Sequence, residues 1–368
     1  MPLPLLQLTE SGLYCPGGDF YIDPWKPVER AIITHGHSDH CRWGMERYLT
    51  AEPGLQVLRT RLGNDAKIDT VPYGERLTIN GVKVSLHPAG HLLGSAQVRI
   101  EDGQTWVVSG DYKTEHDPTC APFELQKCHG FVTESTFGLP IYRWKPDREV
   151  FAEIDGWWAA NQAVGKCSVL TGYSLGKAQR LLAGVGQLGP VVVHGAIARM
   201  NEAYRWAGVP LPKVQTTHEL KRGFDFSQAL VVAPPGATAT PWIRRFGETS
   251  TAFASGWMAI RGIRRRMSID RGFVLSDHVD WPSLMATIDA TGAEEIWVTH
   301  GYAPQVVRYL TEQGRNAKVL PTRFTGEEAE AAPDVKELAI EDGVARASRP
   351  SSIPEGTIGE DADATGEQ

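Results

Sequence analysis

The stretch Ala31-Ile32-Ile33-Thr34-His35-Gly36-His37-Ser38-Asp39-His40 decides the reading of this chain. A short apolar run leads into three histidines and an aspartate within six residues, 35–40. Imidazole and carboxylate together suit zinc or a similar divalent ion. In an extended or turn conformation, residues two apart project to the same side. His35 and His37 would then grip one ion, while Asp39 and His40 reach a second just beyond the strand end. A histidine-rich surface loop is the competing reading, but four such side chains at this spacing behind an apolar strand rarely coincide. Cys41 follows directly and reads as a packed neighbour rather than a ligand.

The whole chain sets the bounds. Its 368 residues are 42% hydrophobic, enough for one large core or two domains. No apolar run approaches the ~20 residues of a membrane helix. The opening Met1-Pro2-Leu3-Pro4-Leu5-Leu6 lacks the basic region and cleavage site of a secretory signal. Five cysteines with no CxxC pair fit a reducing cytoplasm better than a disulfide framework. The net charge of −7 argues at first against a nucleic-acid partner. From Gly326 onward, however, 12 Asp/Glu stand against 3 Lys/Arg, a net of −9, so the remaining residues carry +2. That acidic, aromatic-poor end reads as a disordered tail. The near-neutral body neither requires nor forbids a polyanion.

Along the body, two textures alternate. Residues 77–87 read as a hairpin around Asn80-Gly81, and 97–109 as a second strand pair turning at Asp102-Gly103. Short strands end near Asp23, His35, His91 and Asp111, the pattern of a β-sandwich whose loops converge on one edge. From about 147 the pattern changes. Helical periodicity over 148–164 precedes alternating strands (168–171, 190–193) and helices (176–185, 197–207), the signature of a parallel α/β unit. Buried strands return at 272–276 and 296–299, each leading to a histidine. The economical organisation is an α/β domain inserted into a metal-binding sandwich.

A dinuclear site needs further ligands. His91 sits in Ala89-Gly90-His91-Leu92-Leu93-Gly94-Ser95, where glycine permits a tight backbone approach. Asp111, in Ser109-Gly110-Asp111-Tyr112, follows a strand, and its carboxylate is suited to bridge two ions; a turn or helix-cap role is its alternative. Two ions roughly ~4 Å apart clamp an in-line displacement at a phosphodiester and acidify the water between them into a nucleophile. The same arrangement would also hydrolyse β-lactams or thioesters, so these ligands alone do not choose the substrate.

The complete motif set resembles the metallo-β-lactamase superfamily. The later segments are similar to its nucleic-acid-processing β-CASP branch. Thr133-Glu134-Ser135-Thr136-Phe137-Gly138 resembles motif A of that branch, Ser276-Asp277-His278-Val279-Asp280 motif B, and Val298-Thr299-His300-Gly301 motif C. Gly172-Tyr173-Ser174-Leu175-Gly176-Lys177-Ala178-Gln179-Arg180 resembles the segment that opens the inserted domain. The likeness spans roughly residues 12–325. It implies an α/β fold: an αββα metallo-β-lactamase sandwich in two halves, 1–146 and 271–325, an inserted β-CASP domain at 147–270, and the tail at 326–368.

The resemblance also implies roles. His35, His37 and His91 would bind one ion, Asp39, His40 and His300 the second, and Asp111 would bridge. Asp23 would orient the ligands from behind. His278, held by Glu134, would protonate the leaving sugar oxygen; a carboxylate fixes the imidazole tautomer and raises its pKa, keeping a proton available near pH 7. The catalytic group expected is thus His278, Glu134, Asp39 and Asp111, with two divalent ions as cofactors, zinc first and manganese as the alternative.

On substrate the indications divide. Histidine at motif C is usual in members acting on RNA. The stretch 12–25 and the compact insert look closest to bacterial ligase-associated DNA exonucleases, which favours single-stranded DNA and a DNA ligase as a repair partner. Lys177 and Arg180 at a helix start, His194, Arg244 beside Trp242, and Arg265 in the run Arg261, Arg264, Arg265 and Arg266 are candidate phosphate contacts. A solvated helix face is the plain alternative for these arginines. The expectation is a cytoplasmic, metal-dependent DNA exonuclease. An RNA-processing endo- or exonuclease is the main rival, ahead of a small-molecule hydrolase and a non-catalytic scaffold.

Overall fold

In the computed structural model, described for residues 4–267 and 269–323, the chain builds three sheets. The expected acidic tail lies outside the described residues. Six strands between Gln7 and Val71 form the first sheet in chain order, antiparallel at the N-terminal edge and parallel from Phe20–Ile22 onward. The second sheet runs, edge to edge, Asn316–Val319, Glu295–Thr299, Gly130–Glu134, Gln104–Val108, Ala96–Asp102, Val82–Pro88 and Arg76–Ile79.

Alternation along the strands decides how these two sheets pack. Val82, Val84 and Leu86 turn inward with Val98, Ile100 and Trp106, and meet Leu13, Phe20, Ile22 and Ile32 of the first sheet in one core. The opposite face of the second sheet presents Val107, Phe131, Ile296 and Val298 to the helices Trp281–Thr291 and Ala303–Glu312. The outer face of the first sheet, Ala31, Ile33 and Tyr48, packs on Leu58 of the helix Leu55–Leu62. The result is the four-layer αββα sandwich that the sequence led us to expect. The tight hairpin at Asn80-Gly81 also forms, both residues taking the positive φ such a turn requires, +49° and +90°.

The helix Asp147–Ala163 opens the insert, whose six-stranded sheet is parallel throughout. Its strands are buried on both faces. Leu170, Leu230 and Val232 pack on Ile154, Trp158 and Leu181, while Val169, Val192 and Val231 pack with Phe246 on the other side. The strand Arg271–Phe273, assigned by the sequence to the returning half of the sandwich, hydrogen-bonds instead to Ala252–Ala254 as an edge of the inserted sheet. It is also shorter than the expected 272–276, because the chain leaves the sheet to form the loop carrying His278. Among the described residues no helix is long and apolar enough to cross a membrane.

Candidate metal centre

Loops at the ends of strands from both sandwich sheets converge on one small volume. Asp23 follows Phe20–Ile22, His35 to His40 follow Arg30–Ile32, Asp111 follows Gln104–Val108, Glu134 ends Gly130–Glu134, and His300 follows Glu295–Thr299. His91 sits in the connection between Val82–Pro88 and Ala96–Asp102. Two of these residues hold strained backbones: φ is +44° at Asp23 and +58° at His300. Gly110 (φ +57°) lets the Asp111 loop lie against Thr34, because a β-carbon there would come within 2.7 Å of the threonine side chain. Gly301 likewise abuts the Ser135 carbonyl, 2.3 Å from where its β-carbon would stand.

Two ligand groups result. Donor atoms of His35, His37, His91 and Asp111 lie within 4.8 Å of one another, and so do those of Asp39, His40 and His300. Asp111 Oδ2 stands between the groups, 3.5 Å from both His35 Nε2 and His40 Nε2 and 3.9 Å from His91 Nε2. All seven side chains proposed as ligands from the sequence are therefore brought together.

Neighbours fix which ring nitrogen each histidine offers. His40 Nδ1–H donates to Asp23 Oδ2 at 2.7 Å, turning Nε2 inward. Asp23 is itself held by the Thr34 N–H, which donates to Oδ1 at 2.8 Å, and by the Thr34 hydroxyl. His91 Nδ1–H donates to the Asp277 carbonyl at 2.9 Å, again leaving Nε2 for the site. His37 is reversed. Its Nε2–H donates to the Leu175 carbonyl at 3.2 Å, and its Nδ1 faces His91 Nε2 at 3.2 Å. Two imidazole lone pairs aimed at each other suit a shared cation.

The electrostatics agree with that donor set. Buried His35 Nε2, Asp39 Oδ2, His40 Nε2 and Asp111 Oδ1 make no hydrogen bond; such orphaned atoms are costly unless an ion satisfies them. Burial, reinforced by the crowd of imidazoles, holds His35 and His91 well below the ordinary histidine value, in the neutral form a metal requires. Burial also drives the Asp111 carboxyl up to about 7. For Asp39 burial opposes ionisation, but His40, His300 and His37 outweigh it and leave the carboxyl near 2. Cys41 lies with Ala31, Ile33, Met45 and Tyr48 in an apolar cluster, and burial pushes its thiol up to about 12.

Beside the ligands lies a buried acid–base pair. His278 is 0% exposed and Glu134 is 1% exposed. His278 Nδ1 stands 2.9 and 3.0 Å from the two Glu134 carboxylate oxygens. Glu134 Oε1 also accepts the Tyr112 N–H at 2.8 Å. Burial disfavours the Glu134 carboxylate, yet His278 more than offsets this and holds its pKa below the usual range. His278 Nδ1 is 4.0 Å from Asp111 Oδ2, so the pair adjoins both ligand groups.

The candidate phosphate contacts divide. Lys177 and Arg180 are each only 1% exposed, so neither is open to solvent or to a bound strand. Lys177 Nζ donates to the Leu275 carbonyl at 2.8 Å and pairs with Asp277 at 2.9 Å. Arg180 Nη1 donates to Asp277 Oδ1 at 2.8 Å and to the Ser276 carbonyl, and its other nitrogens donate to Asp147. A buried guanidinium needs carboxylates around it, and these are the partners the fold supplies. Both residues thus hold the loop 275–277 in place. His194 caps the helix Gly195–Trp206 and sets its ring edge-on to Trp242 at 5.1 Å. Arg244 and Arg265 are exposed.

Sequence reasoning assigned no task to Asp277, although its carbonyl holds His91 and its carboxylate anchors two buried cations. Its place in Ser276-Asp277-His278 was the only clue. Asp117, 3.6 Å from Arg180, gave none.

No protein-family model matches the chain. A probable DNA ligase of Opitutus terrae is 31% identical over 315 residues, covering 83% of this chain and 30% of that protein. The endoribonuclease YSH1 of Yarrowia lipolytica is 28% identical over 162 residues (42% of this chain, 19% of that protein). Cleavage and polyadenylation specificity factor 73 of Drosophila melanogaster is 30% identical over 162 residues (42% and 23%). The chain thus spans less than a third of the length of these curated relatives. Among solved structures, a protein of unknown function from Enterococcus faecalis superposes with a TM-score of 0.52 at 12% identity, covering 80% of this chain and 79% of that one, a likeness of fold alone.

Proposed function

Because this chain belongs to the β-CASP nuclease branch of the metallo-β-lactamase superfamily, we propose that it is a metal-dependent DNA exonuclease that trims single strands beside a DNA ligase in cytoplasmic repair. The 315-residue likeness to a probable DNA ligase carries the reading, since it extends over both the sandwich and the insert. The 162-residue likeness to YSH1, together with His300, favours an RNA-processing enzyme as the second reading. The domain organisation goes with it: a sandwich in two halves around an inserted unit of about residues 147–273.

His35, His37 and His91 would hold one divalent ion, Asp39, His40 and His300 a second, with Asp111 shared; zinc suits this donor set best, manganese next. When bound, the two ions would polarise the phosphodiester and supply an acidified water. The chain does the rest. Asp23, Thr34 and the Asp277 carbonyl keep the imidazoles in the tautomers the ions need. Glu134 holds the His278 ring and stabilises its protonated form, so that His278 delivers a proton to the departing sugar oxygen. Burial of both groups excludes bulk water from that transfer.

Matched single strands, one DNA and one RNA, labelled separately at each end, test this after metal reconstitution of the wild type and of His278→Ala. Stepwise shortening of DNA alone, lost in the variant, is the expected result. Preferential cutting of RNA, or internal cuts from the first time point, would overturn the DNA exonuclease reading in favour of the second.

A further inference from the structure

A groove of about 840 Å³ opens where the insert meets residues 143–145, near the His278 loop, lined by Arg143, Lys145, Arg261, Arg264, Arg265 and Arg271 against only two acids, Glu153 and Asp270. Its volume is that of a ligand cleft, and no metal-ligand candidate lines it. Glu153 is already engaged by Lys145 at 2.9 Å and faces Arg271 at 4.0 Å. Among the described residues, Arg143, Arg261, Arg264 and Arg265 have no carboxylate within ion-pair distance. Six cations on one concavity repel one another and attract a polyanion.

Two observations relate the groove to the candidate centre. Arg143 and Lys145 flank Trp144, whose indole N–H donates to the His278 carbonyl at 2.9 Å and whose backbone N–H donates to Asp280 at 3.0 Å. Val274, on the groove wall, lies four residues before His278. The groove thus lies behind the loop that carries the proposed acid. A group seated there meets none of the reacting atoms.

We propose that this groove binds the sugar-phosphate backbone of the nucleic acid at nucleotides remote from the scissile bond. The proposal rests on the nuclease reading and deepens it, placing substrate contacts away from the candidate metal ligands. It commits to phosphates, because the lining offers guanidinium forks and a lysine but little aromatic surface for base stacking. Binding there would be sequence-independent and strongly salt-dependent.

The test combines Arg143→Gln, Arg261→Gln and Arg265→Gln, all exposed side chains. Arg264 is left alone because its stem packs over Gly272. A control variant loses the same charge elsewhere, through Arg76→Gln, Lys83→Gln and Arg308→Gln. Binding of a long single strand is followed by anisotropy in the His278→Ala background, and hydrolysis of bis(p-nitrophenyl) phosphate in the otherwise wild-type protein. Each phosphate contact adds about 0.7 to the slope of log affinity against log salt for single strands. The groove variant should therefore lose roughly 2 from that slope. Between 50 and 200 mM salt the parent should lose about twentyfold more affinity than the variant. Small-diester hydrolysis should not change, and neither should binding by the control.

An unchanged slope in the groove variant, or an equal change in the control, overturns the proposal. So does loss of binding to poly-glutamate with binding to DNA intact, which would assign the groove to an acidic protein segment. A wild type that hydrolyses neither the diester nor a strand sinks the nuclease reading itself. A wild type active on both, whose groove variant keeps the parent's salt slope, sinks the groove alone.

Discussion

Replacing Arg180 with methionine removes the cation at the centre of the buried network between insert and sandwich. In the folded protein Arg180 is 1% exposed and meets Asp277, Asp147 and the Ser276 carbonyl, with Asp117 at 3.6 Å. Breaking a buried pair by removing one partner costs about 3–5 kcal/mol. Three features place this case at the low end. Lys177 stays 2.9 Å from Asp277, and the Asp147 side chain is 28% exposed and can turn to water. Asp117 also tolerates the loss, because burial already raises its pKa and eases protonation. We expect a loss of about 3 kcal/mol in urea unfolding of the metal-free protein, with an unchanged m-value.

The same variant tests whether the network reaches the metal ligands. Arg180 and Lys177 fix Asp277, and the Asp277 carbonyl orients His91 through Nδ1. Loss of such an orienting partner typically weakens metal affinity 10–100-fold. Competition with a chromophoric chelator reads this directly, without any nuclease assay. Adding Asp277→Asn to Arg180→Met completes a double-mutant cycle, whose coupling should be 0.5–3 kcal/mol. A stability loss under about 1 kcal/mol together with unaltered chelator competition would refute the reasoning. The network would then be incidental packing.

Three further outcomes follow from the same geometry. Asp277 titrates below its ordinary 3.8 because Lys177 and Arg180 outweigh the burial that opposes its charge. The folded state then binds fewer protons than the unfolded, so the stabilisation is whole well above the unfolded value of 3.8 and is lost progressively as pH falls below it towards the folded value; acid titrations of wild type and Asp277→Asn should differ most near pH 7, begin to draw together near about pH 4, and converge only where the folded carboxylate itself takes a proton. Glu134→Gln keeps an oxygen for the Tyr112 N–H but no charge for His278, so phosphodiester turnover should fall about 10²–10⁴-fold while metal content and unfolding midpoint hold, as metal analysis and urea curves would show. Asp23→Asn weakens the anchor on His40 Nδ1 and should lower metal affinity 10–100-fold in chelator competition, with far-UV circular dichroism unchanged.

The parts of this molecule that the sequence revealed are those carried by local pattern. Val82-Lys83-Val84-Ser85-Leu86 alternates with period two, and Asn80-Gly81 permits only one kind of turn, so the hairpin was legible. Trp158 and Ile154 recur at helical spacing, and the helix Asp147–Ala163 appears one residue from its expected bounds. The candidate ligands were legible because six of the seven have a glycine or histidine as an immediate neighbour, in loops just beyond strands. What escaped depends on contacts between distant segments. Arg271–Phe273 has the composition of either sheet, and only its pairing with Ala252–Ala254 decides the matter. Lys177 and Arg180 resemble a phosphate-binding helix start until Asp277, about a hundred residues away, is seen to bury them.

That long-range burial changes how the insert should be regarded. The helix Lys177–Gly184 belongs to the insert, yet its buried cations hold the loop 275–277, and the same loop presents a carbonyl to His91 and carries His278. Ser276 Oγ accepts the His278 N–H at 3.1 Å, while the Asp277 carbonyl one residue on takes the His91 proton. The anchor of one candidate ligand, His91, and the proposed proton donor therefore lie on one short stretch of backbone, clamped from the insert. A small-molecule hydrolase needs only the ligands and has no use for a second domain fixing a buried His–Glu pair beside them. The arrangement suits the proposed reaction, in which His278 protonates a departing sugar oxygen.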